Sequence, residues 1–316
     1  MIRFLLAVTL FAIGNTLAHA ADAWPEVVRI GVQKGDPLVA LRASGELEKA
    51  LAPHHVAVKW TEFVYGAPMV EAINAGEIDV GTVGATPPIL AQAGAAPDVT
   101  YVAYAPQYQK SYAIVVPARS EVRSIADLKG KKLAFAKGSQ GHLFALKALQ
   151  DAHIATSSVQ FAYLDYSDAR SAFERGFVDA WVVPDPRYAD TELRTGARTI
   201  LTVGDLSVPQ YAFYIATRSF ATRYAATLRL LFDVLDKQTR RELADLPQTA
   251  SLMASNTGVP IDVWNRALPR LEWGVHYPIG ADVIAAQQDA ADLAYREHII
   301  PKQVRVQDVI VDIQPH

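Results

Sequence analysis

The stretch 27–41 of the chain, VVRIGVQKGDPLVAL, decides which class of fold the sequence predicts. Its first part, from Val27 to Val32, alternates as a β-strand does. A helix then begins at Asp36-Pro37, because aspartate suits the N-cap and proline the first turn. A strand that leads through a turn into a helix is the building unit of an α/β protein.

The same unit recurs downstream of this stretch. We expect strands at 56–63 and 78–83, a short helix at 68–75, and another helix after Gly84-Ala85-Thr86-Pro87-Pro88. This order predicts a parallel sheet with helices on both faces. The pattern then starts again, with strands expected at 99–103, 112–116, 132–135, 159–164, 180–183 and 211–216 and helices at 141–152 and 169–175. After residue 221 we expect helices until the tail near residue 301.

Two such sets followed by a helical remainder predict an α/β fold with two lobes. No long Gly/Ser linker separates the sets, so we expect the chain to cross between the lobes in short strands near 104–106 and 206–209. The first lobe is then discontinuous and comprises residues 21–104 plus 209–316, and the second lobe comprises residues 105–208. The C-terminal helices are expected to pack back onto the first lobe.

The N-terminus has the features of a signal peptide, which we assign to residues 1–20. Arg3 is the only charged residue before Asp22, residues 4–18 are almost wholly apolar, and Ala18-His19-Ala20 has the form of a cleavage site. A membrane anchor is the alternative, but the apolar run is short compared with the roughly 20 residues of a spanning helix. We therefore expect an exported, periplasmic protein whose mature chain begins near Ala21.

Composition and motifs exclude several classes of protein. The 316 residues contain no cysteine, which rules out disulfides, thiolate metal sites and cysteine nucleophiles. Charged residues make up 20% and the formal net charge is -3, without an extended basic patch, so nucleic acid is not expected as a partner. No G-x-S-x-G, H-E-x-x-H or G-x-x-x-x-G-K-[ST] signature occurs. We expect no enzyme, no metal and no cofactor.

Three turns have the composition of an anion-binding site. They are Gln33-Lys34-Gly35-Asp36, Gly84-Ala85-Thr86 and Lys137-Gly138-Ser139-Gln140-Gly141-His142. Each follows a strand and opens a helix, where the first N–H groups lack partners and the helix dipole is positive. Ligands of open α/β sheets bind outside the carboxyl ends of the strands, where such turns lie. We therefore predict that the three turns converge on a buried anion.

Each turn has a simpler explanation when it is considered alone. Glycine and serine also serve merely to form a turn and to cap a helix, and Asp36 is expected to be only an N-cap. Lys34 would add positive charge, although a lysine at a turn is commonly solvated. On the functional interpretation, the hydroxyl groups of Ser139 and Thr86 donate to the anionic head.

The chain as a whole resembles the aliphatic-sulfonate-binding proteins of ABC importers, within the wider group that binds sulfonates, nitrate and taurine. The matching segments are 29–35 (RIGVQKG), 60–63 (WTEF), 75–81 (AGEIDVG), 86–93 (TPPILAQA), 125–132 (IADLKGKK), 137–139 (KGS), 168–176 (DARSAFERG) and 178–181 (VDAW), with Leu293, Tyr295 and 300–302 near the last helix. Together they cover nearly the whole mature chain. In combination they are specific for the family, but less so for the ligand.

The resemblance implies a type II periplasmic binding fold, with a ligand cleft between the two lobes. It implies a monomeric solute-binding protein that delivers an aliphatic sulfonate, or a related organic oxyanion, to an ABC permease and its ATPase. The positions that match the family's pocket are the three turns and the segment around Asp185-Pro186. Tyr211 is added to the expected contacts.

The sequence departs from the family's pattern at three places. Ala85 stands where relatives commonly have an acidic residue, Pro184 where they commonly have tryptophan, and Pro209-Gln210-Tyr211 replaces a small, polar pattern. These changes affect the wall around the ligand's tail, so a sulfonate, a sulfate ester and another oxyanion all remain open. Two further interpretations are an enzyme on the same two-lobed fold and a ligand-sensing module for a membrane receptor. The missing cysteine excludes the deaminase-type enzymes.

Overall fold

Two five-stranded β-sheets, each packed against helices, make up the protein in the computed structural model, which describes residues 23–94 and 98–315. The strands are β1 (Val27–Val32), β2 (Ala57–Glu62), β3 (Val80–Gly84), β4 (Val99–Tyr104), β5 (Tyr112–Val116), β6 (Lys132–Phe135), β7 (Gln160–Tyr163), β8 (Ala180–Pro184), β9 (Arg198–Thr202) and β10 (Ala212–Thr217). The helices are α1 (Pro37–Ser44), α2 (Glu46–Leu51), α3 (Gly66–Asn74), α4 (Thr86–Ala93), α5 (Gln140–Asp151), α6 (Tyr166–Glu174), α7 (Arg187–Thr195), α8 (Arg218–Arg223), α9 (Ala225–Ala244), α10 (Leu246–Thr257), α11 (Ile261–Ala267) and α12 (Ala281–Arg296).

Each sheet combines parallel and antiparallel neighbours. In the first sheet, with the order β2-β1-β3-β10-β4, β1 is parallel to β2 and β3, as the strand–helix order predicted. β10 lies antiparallel between β3 and β4. The second sheet, with the order β7-β6-β8-β5-β9, repeats this arrangement, since β6 is parallel to its neighbours and β5 is antiparallel to its own. The predicted α/β class is confirmed.

The antiparallel strands β5 and β10 enter their sheets directly from the other sheet. The chain passes from the first sheet to the second through residues 105–111 and returns through residues 203–211. Both connections are too short for the crossover helix that a parallel neighbour would need. We refer to the part of the chain built on the first sheet as lobe 1 and to the part built on the second sheet as lobe 2.

The sequence analysis missed α7 and β9. β9 is an edge strand whose residues are all half-buried, so it lacks the alternation of buried and exposed positions that marks a strand. α7 begins shortly after β8 and buries only Tyr188, Ala189 and Thr191. The omission matters for function, because the first residue of α7 lies in the cleft described below.

Local sequence signals that were recognised are present in the structure. The 3₁₀ turn Ile125–Leu128 begins with a capping box between Ser124 and Asp127, a pattern that the sequence carries at these positions. The C-terminal helices share one hydrophobic core with β1 and α1, in which Phe232 and Trp264 are completely buried. Lobe 1 is therefore held together by segments from both ends of the chain.

Within residues 23–94 and 98–315, no helix is long and apolar enough to cross a membrane. Nor do these residues contain a cluster of three or more histidine, aspartate or glutamate side chains that is able to hold a metal ion. The predicted signal peptide lies outside the described residues.

Candidate functional site: the cleft between the lobes

The two lobes enclose a cavity of about 110 Å³ in the cleft between them. Lobe 1 supplies the turns after β1 and β3, the loop before α3 and the segment 271–274. Lobe 2 supplies the turns after β6 and β8 and the start of α6. The carboxyl ends of β1, β3, β6 and β8 therefore all face the cavity, which is where open α/β sheets bind their ligands.

Five helices begin at the wall of this cavity. The first residues of α1, α3, α5, α6 and α7 are Pro37, Gly66, Gln140, Tyr166 and Arg187, and all of them line it. The N–H groups of a first helical turn have no partner within the helix, and the helix dipole is positive at this end. Side chains already accept first-turn N–H groups in α5, α6 and α7, namely those of Ser139, Asp165 and Asp185. No side chain caps α1 or α3, so the backbone at these two helix starts makes the cavity suitable for an anion.

Half of the predicted contact residues line the cavity. They are Lys34, Gly35, Asp36, Gly84, Ser139, Gln140 and Asp185. The other half do not, namely Ala85, Thr86, Gly138, Gly141, His142, Pro186 and Tyr211. Pro184, at which the chain departs from the family's pattern, is part of the wall.

The turn after β3 presents only Gly84 to the cavity. The N–H of Ala85 donates to Oε1 of Gln140 at 2.6 Å, and its carbonyl accepts from Nε2 of Gln287 at 2.8 Å. Thr86 is completely buried, and its hydroxyl has no hydrogen-bond partner. Our expectation that Ala85 faces the ligand's tail and Thr86 its head does not match this geometry, because a lobe 2 side chain already occupies the Ala85 amide.

His142 and Gly138 lie at a different crevice. The imidazole of His142 stacks on Phe135, with 5.0 Å between the ring centroids, and its Nδ1 accepts from the N–H of Gly138 at 3.4 Å. Burial, helped by the charge of Lys137, lowers the pKa of His142 to about 4. The ring is therefore neutral at physiological pH and adds no charge to the cavity.

The other three predicted contacts lie close to the cavity without lining it. A Cβ added to Gly141 would lie 3.4 Å from the hydroxyl of Tyr112, which does line the cavity. Pro186 is the N-cap residue of α7 and is buried. Tyr211 packs edge-on against Tyr104, with 5.8 Å between the centroids.

Three predicted side chains line the cavity, and each of them bonds to another group of the protein. The hydroxyl of Ser139 donates to the carbonyl of Ala136 at 2.7 Å and accepts from the N–H of Gly141 at 3.1 Å, so its only proton is used and it caps α5. Lys34 directs its ammonium to the carbonyl of Thr257 at 3.0 Å. Asp36 is the N-cap residue of α1, as predicted, but its side chain accepts the N–H of Gln33 instead of one from the helix.

Arg187 and a set of tyrosines were missed. The Arg187 guanidinium lies 4.5 Å from the centroid of the Tyr166 ring, and the hydroxyls of Tyr166 and Tyr112 are 2.8 Å apart. No carboxylate among the described residues lies within ion-pair distance of Arg187. Arg187 is the first residue of α7, directly after β8. It could have been predicted from its place at the carboxyl end of a strand, if the start of α7 had been recognised in the sequence. A stacked arginine without an ion-pair partner in an enclosed cavity can bind a sulfonate or another oxyanion.

An ion pair joins the lobes beside the cavity. Arg270 of lobe 1 donates to Oδ1 of Asp185 at 2.8 Å and to Oε2 of Glu192 at 2.7 Å, and both acceptors belong to lobe 2. Burial raises the pKa of Asp185 to about 7, and the charge of Arg270 opposes this shift. Oδ1 of Asp185 therefore joins the two lobes, whereas its Oδ2 is buried and has no hydrogen-bond partner.

Two glycines allow the lobes to approach closely. A Cβ built on Gly35 would lie 3.1 Å from the carbonyl oxygen of Asp185, and one built on Gly84 would lie 2.6 Å from Cβ of Gln140. Gln140 also donates to the side chain of Gln210. Gly35 and Gly84, which we had selected as anion-binding turns, are thus the points at which lobe 1 meets lobe 2.

Comparison with known proteins identifies relatives of the same fold. Residues 57–250 match the family described as NMT1/THI5 like. The crystal structure of the periplasmic aliphatic sulphonate binding protein SsuA of Escherichia coli superimposes with a TM-score of 0.84 at 36% identity, covering 93% of this chain and 94% of SsuA. The alkanesulfonate-binding protein SsuA of Xanthomonas axonopodis pv. citri, solved bound to MOPS, gives a TM-score of 0.82 at 33% identity, covering 92% and 99%.

Proposed function

The chain belongs to the NMT1/THI5-like family and, within it, to the periplasmic aliphatic sulfonate-binding proteins, and on this premise we propose that its cleft captures an organic sulfonate and releases it unchanged to an ABC importer. The mature protein acts in the periplasm as a monomer after removal of residues 1–20. Its partners are the importer's permease and ATPase.

The observation that carries this proposal is that Arg187 and the N-termini of α1 and α3, which no side chain caps, converge on one cavity between the lobes. A sulfonate has three acceptor oxygens and a single negative charge. Arg187 offers charged donors, and the first helical turns offer N–H groups that no intrahelical acceptor satisfies. Binding between the two lobes removes much of the anion's surface from water, so several donors are needed to replace its solvation.

Ligand capture is expected to involve closure of the two lobes. The cavity is lined by both lobes, and a ligand that contacts both favours their closed arrangement by its greater affinity for it. The chain crosses between the lobes in the two short connections 105–111 and 203–211, which we propose as the hinge. The lobe assignment of the sequence analysis, with residues 21–104 plus 209–316 and 105–208, is proposed with it.

Release of the ligand in unchanged form is supported by the similarity of the chain to sulfonate-binding proteins. A sensing role for the same cleft would use the same contacts. An adjacent permease and ATPase in the genome would favour import.

Titration of the mature protein with a panel of alkanesulfonates, by calorimetry and native mass spectrometry, tests the proposal. We expect a one-to-one complex and a ligand of unchanged mass. Arg187→Gln removes a charged donor worth about 1.5–3 kcal/mol, so the affinity should fall by roughly ten- to a hundredfold. Arg223→Gln is the matched control, because Arg223 also stacks on a tyrosine, Tyr224, but lies outside the cavity.

Two results would contradict the proposal. Conversion of the ligand above a protein-free control would indicate an enzyme. An affinity that Arg187→Gln and Arg223→Gln lower equally would mean that the cavity does not hold the anion.

A further inference from the structure

We infer that the protein has a second binding site, apart from the cleft cavity, and that this site takes a small aromatic carboxylate. The site is the crevice at which Gly138 and His142 lie, and we refer to it as the second crevice. Its wall includes Lys137, His142, Phe161 and Tyr163 of lobe 2 and Leu90 and residues 297–299 of lobe 1. The second crevice and the cleft cavity share no lining residue, so the inference goes beyond the proposed function.

The second crevice has the size of a small-molecule site. Its volume is about 330 Å³, compared with about 110 Å³ for the cleft cavity. Sites for small organic ligands commonly measure about 300–1,000 Å³. Both lobes form its wall, and they touch there, because a Cβ built on Gly138 of lobe 2 would lie 3.0 Å from Cδ1 of Leu90 in lobe 1.

His142 supplies a hydrogen-bond donor that the protein does not use. The residue is only 4% exposed, and it lines the second crevice. Because burial and the charge of Lys137 lower its pKa to about 4, the ring is neutral and carries one proton. Nδ1 accepts the N–H of Gly138 at 3.4 Å, so this proton is on Nε2. No acceptor among the described residues bonds to that N–H, which leaves it for a ligand.

Lys137 supplies a positive charge next to this donor. Its ammonium lies 5.5 Å from the centroid of the Tyr163 ring, and the centroid of the His142 ring lies 5.6 Å from the same point. In the part of the chain that the structure describes, no carboxylate lies within ion-pair distance of Lys137. A carboxylate has two oxygens, so it can accept from the ammonium and from the imidazole N–H at once.

The acidic side chain of the second crevice belongs to its opposite wall. Oε2 of Glu297 accepts from the hydroxyl of Thr156 at 2.9 Å, and this bond joins lobe 1 to lobe 2. The pKa of His142 is lowered by burial and by Lys137, and Glu297 does not offset this shift. His298, beside Glu297, is exposed. The electrostatic field at the free imidazole N–H is therefore positive, which selects an anion for this end of the crevice.

The remaining wall fits an aromatic ring. Phe161 and Tyr163 are two positions apart on β7, so their side chains lie on the same face of the strand, with 6.3 Å between the ring centroids. Tyr163 is 49% exposed, which is high for a large ring, and β7 is an edge strand of its sheet. Leu90 and Leu146 add apolar surface. A ligand ring packed edge-on against these side chains covers exposed apolar area and directs its carboxylate to Lys137 and His142.

Calorimetric titration with benzoate tests the inference, with benzamide and acetate as probes that lack the charge and the ring, respectively. We expect a one-to-one complex in which benzoate binds at least about tenfold more tightly than either partial probe. Lys137→Gln and His142→Phe should each lower the affinity for benzoate by about tenfold or more, because each removes a donor to a charged group. Lys132→Gln is the matched control, since Lys132 begins the same strand β6 but lies outside the second crevice.

Variants of the two sites separate the second crevice from the cleft. Arg187→Gln should leave the affinity for benzoate unchanged, and Lys137→Gln should leave the affinity for an alkanesulfonate unchanged. If Arg187→Gln weakens the binding of benzoate and Lys137→Gln does not, benzoate occupies the cleft cavity and the inference is overturned.

The inference also fails if benzoate binds no more tightly than benzamide, or if its dissociation constant exceeds about 10 mM. Neither result affects the proposed function, which concerns another site and another ligand. Should His142→Phe not fold, the decision still follows from the three probes on the wild-type protein and from Lys137→Gln, whose side chain is exposed.

Discussion

A single methyl group added at Gly84 should hold the two lobes apart. Gly84 ends β3 in lobe 1, and a Cβ built there would lie 2.6 Å from Cβ and 2.7 Å from Oε1 of Gln140 in lobe 2. The amide end of Gln140 can rotate away, but its Cβ is fixed by the backbone of α5. Relief of this contact therefore requires a movement of lobe 2 relative to lobe 1.

The expected magnitude follows from the cost of inserting a methyl group into a packed contact, which is about 1–3 kcal/mol. If the ligand is held only when the lobes are together, this free energy is lost from binding. Gly84→Ala should then weaken the binding of every sulfonate by roughly five- to 150-fold. The order of the ligands should not change, because the added methyl group acts on lobe closure and not on the ligand's tail.

Calorimetry gives the affinity, and small-angle scattering with and without ligand gives the compaction. The double variant Gly84→Ala/Gln140→Gly removes the opposing Cβ and should restore part of the affinity. Gly81→Ala is a control for ordinary destabilisation, because its Cβ would meet the side chain of Met69 and the carbonyl oxygen of Gly31, both within lobe 1. An unchanged affinity of Gly84→Ala, together with wild-type compaction at saturation, would refute closure at this contact.

Two further predictions concern the same cavity. Because burial raises the pKa of Asp36 to about 8, the affinity for an alkanesulfonate should fall as the pH rises through about 8, where the carboxylate becomes charged and repels the anion. Calorimetry between about pH 6 and 9 checks this, and an affinity that does not change over this range would contradict it. Ala85→Glu should destabilise the protein by about 2–4 kcal/mol in urea denaturation, because position 85 is only 1% exposed and a charge there would be buried. A variant of wild-type stability with a changed order of ligands would show instead that the cavity extends to Ala85.

Signals carried by neighbouring residues were sufficient to predict the framework of the site. The turn Gln33-Lys34-Gly35-Asp36 lies between a strand and a helix as expected, because the N-terminal preferences of Asp and Pro are local. The turn after β6 opens α5 for the same reason, and Ser139 caps it. The carboxyl-end rule for α/β sheets then placed these turns at the cavity.

Contacts between distant residues could not be predicted in this way. The acceptor of the Ala85 N–H belongs to Gln140, 55 residues further along the chain, and no local pattern encodes this pairing. The direction of His142 is a matter of helix geometry. Each residue advances about 100° around the axis, so His142 lies roughly 200° from Gln140 and faces the other crevice. Asp36 lines the cavity as expected, but its partial burial depends on tertiary packing.

The position of β10 in the middle of the first sheet has a consequence for how the protein folds. This strand pairs with both β3 and β4, although it follows the whole second sheet in the chain, and Thr100 bonds to a carbonyl 116 residues away. Residues 112–202 contain every strand of the second sheet, so lobe 2 can reach its native pairing from one contiguous segment. The first sheet is complete only after β10 has paired with β3 and β4, and this long-range pairing costs chain entropy and slows folding. A nascent chain that ends before residue 212 therefore carries one complete lobe beside a sheet whose β3 and β4 edges are still open to aggregation.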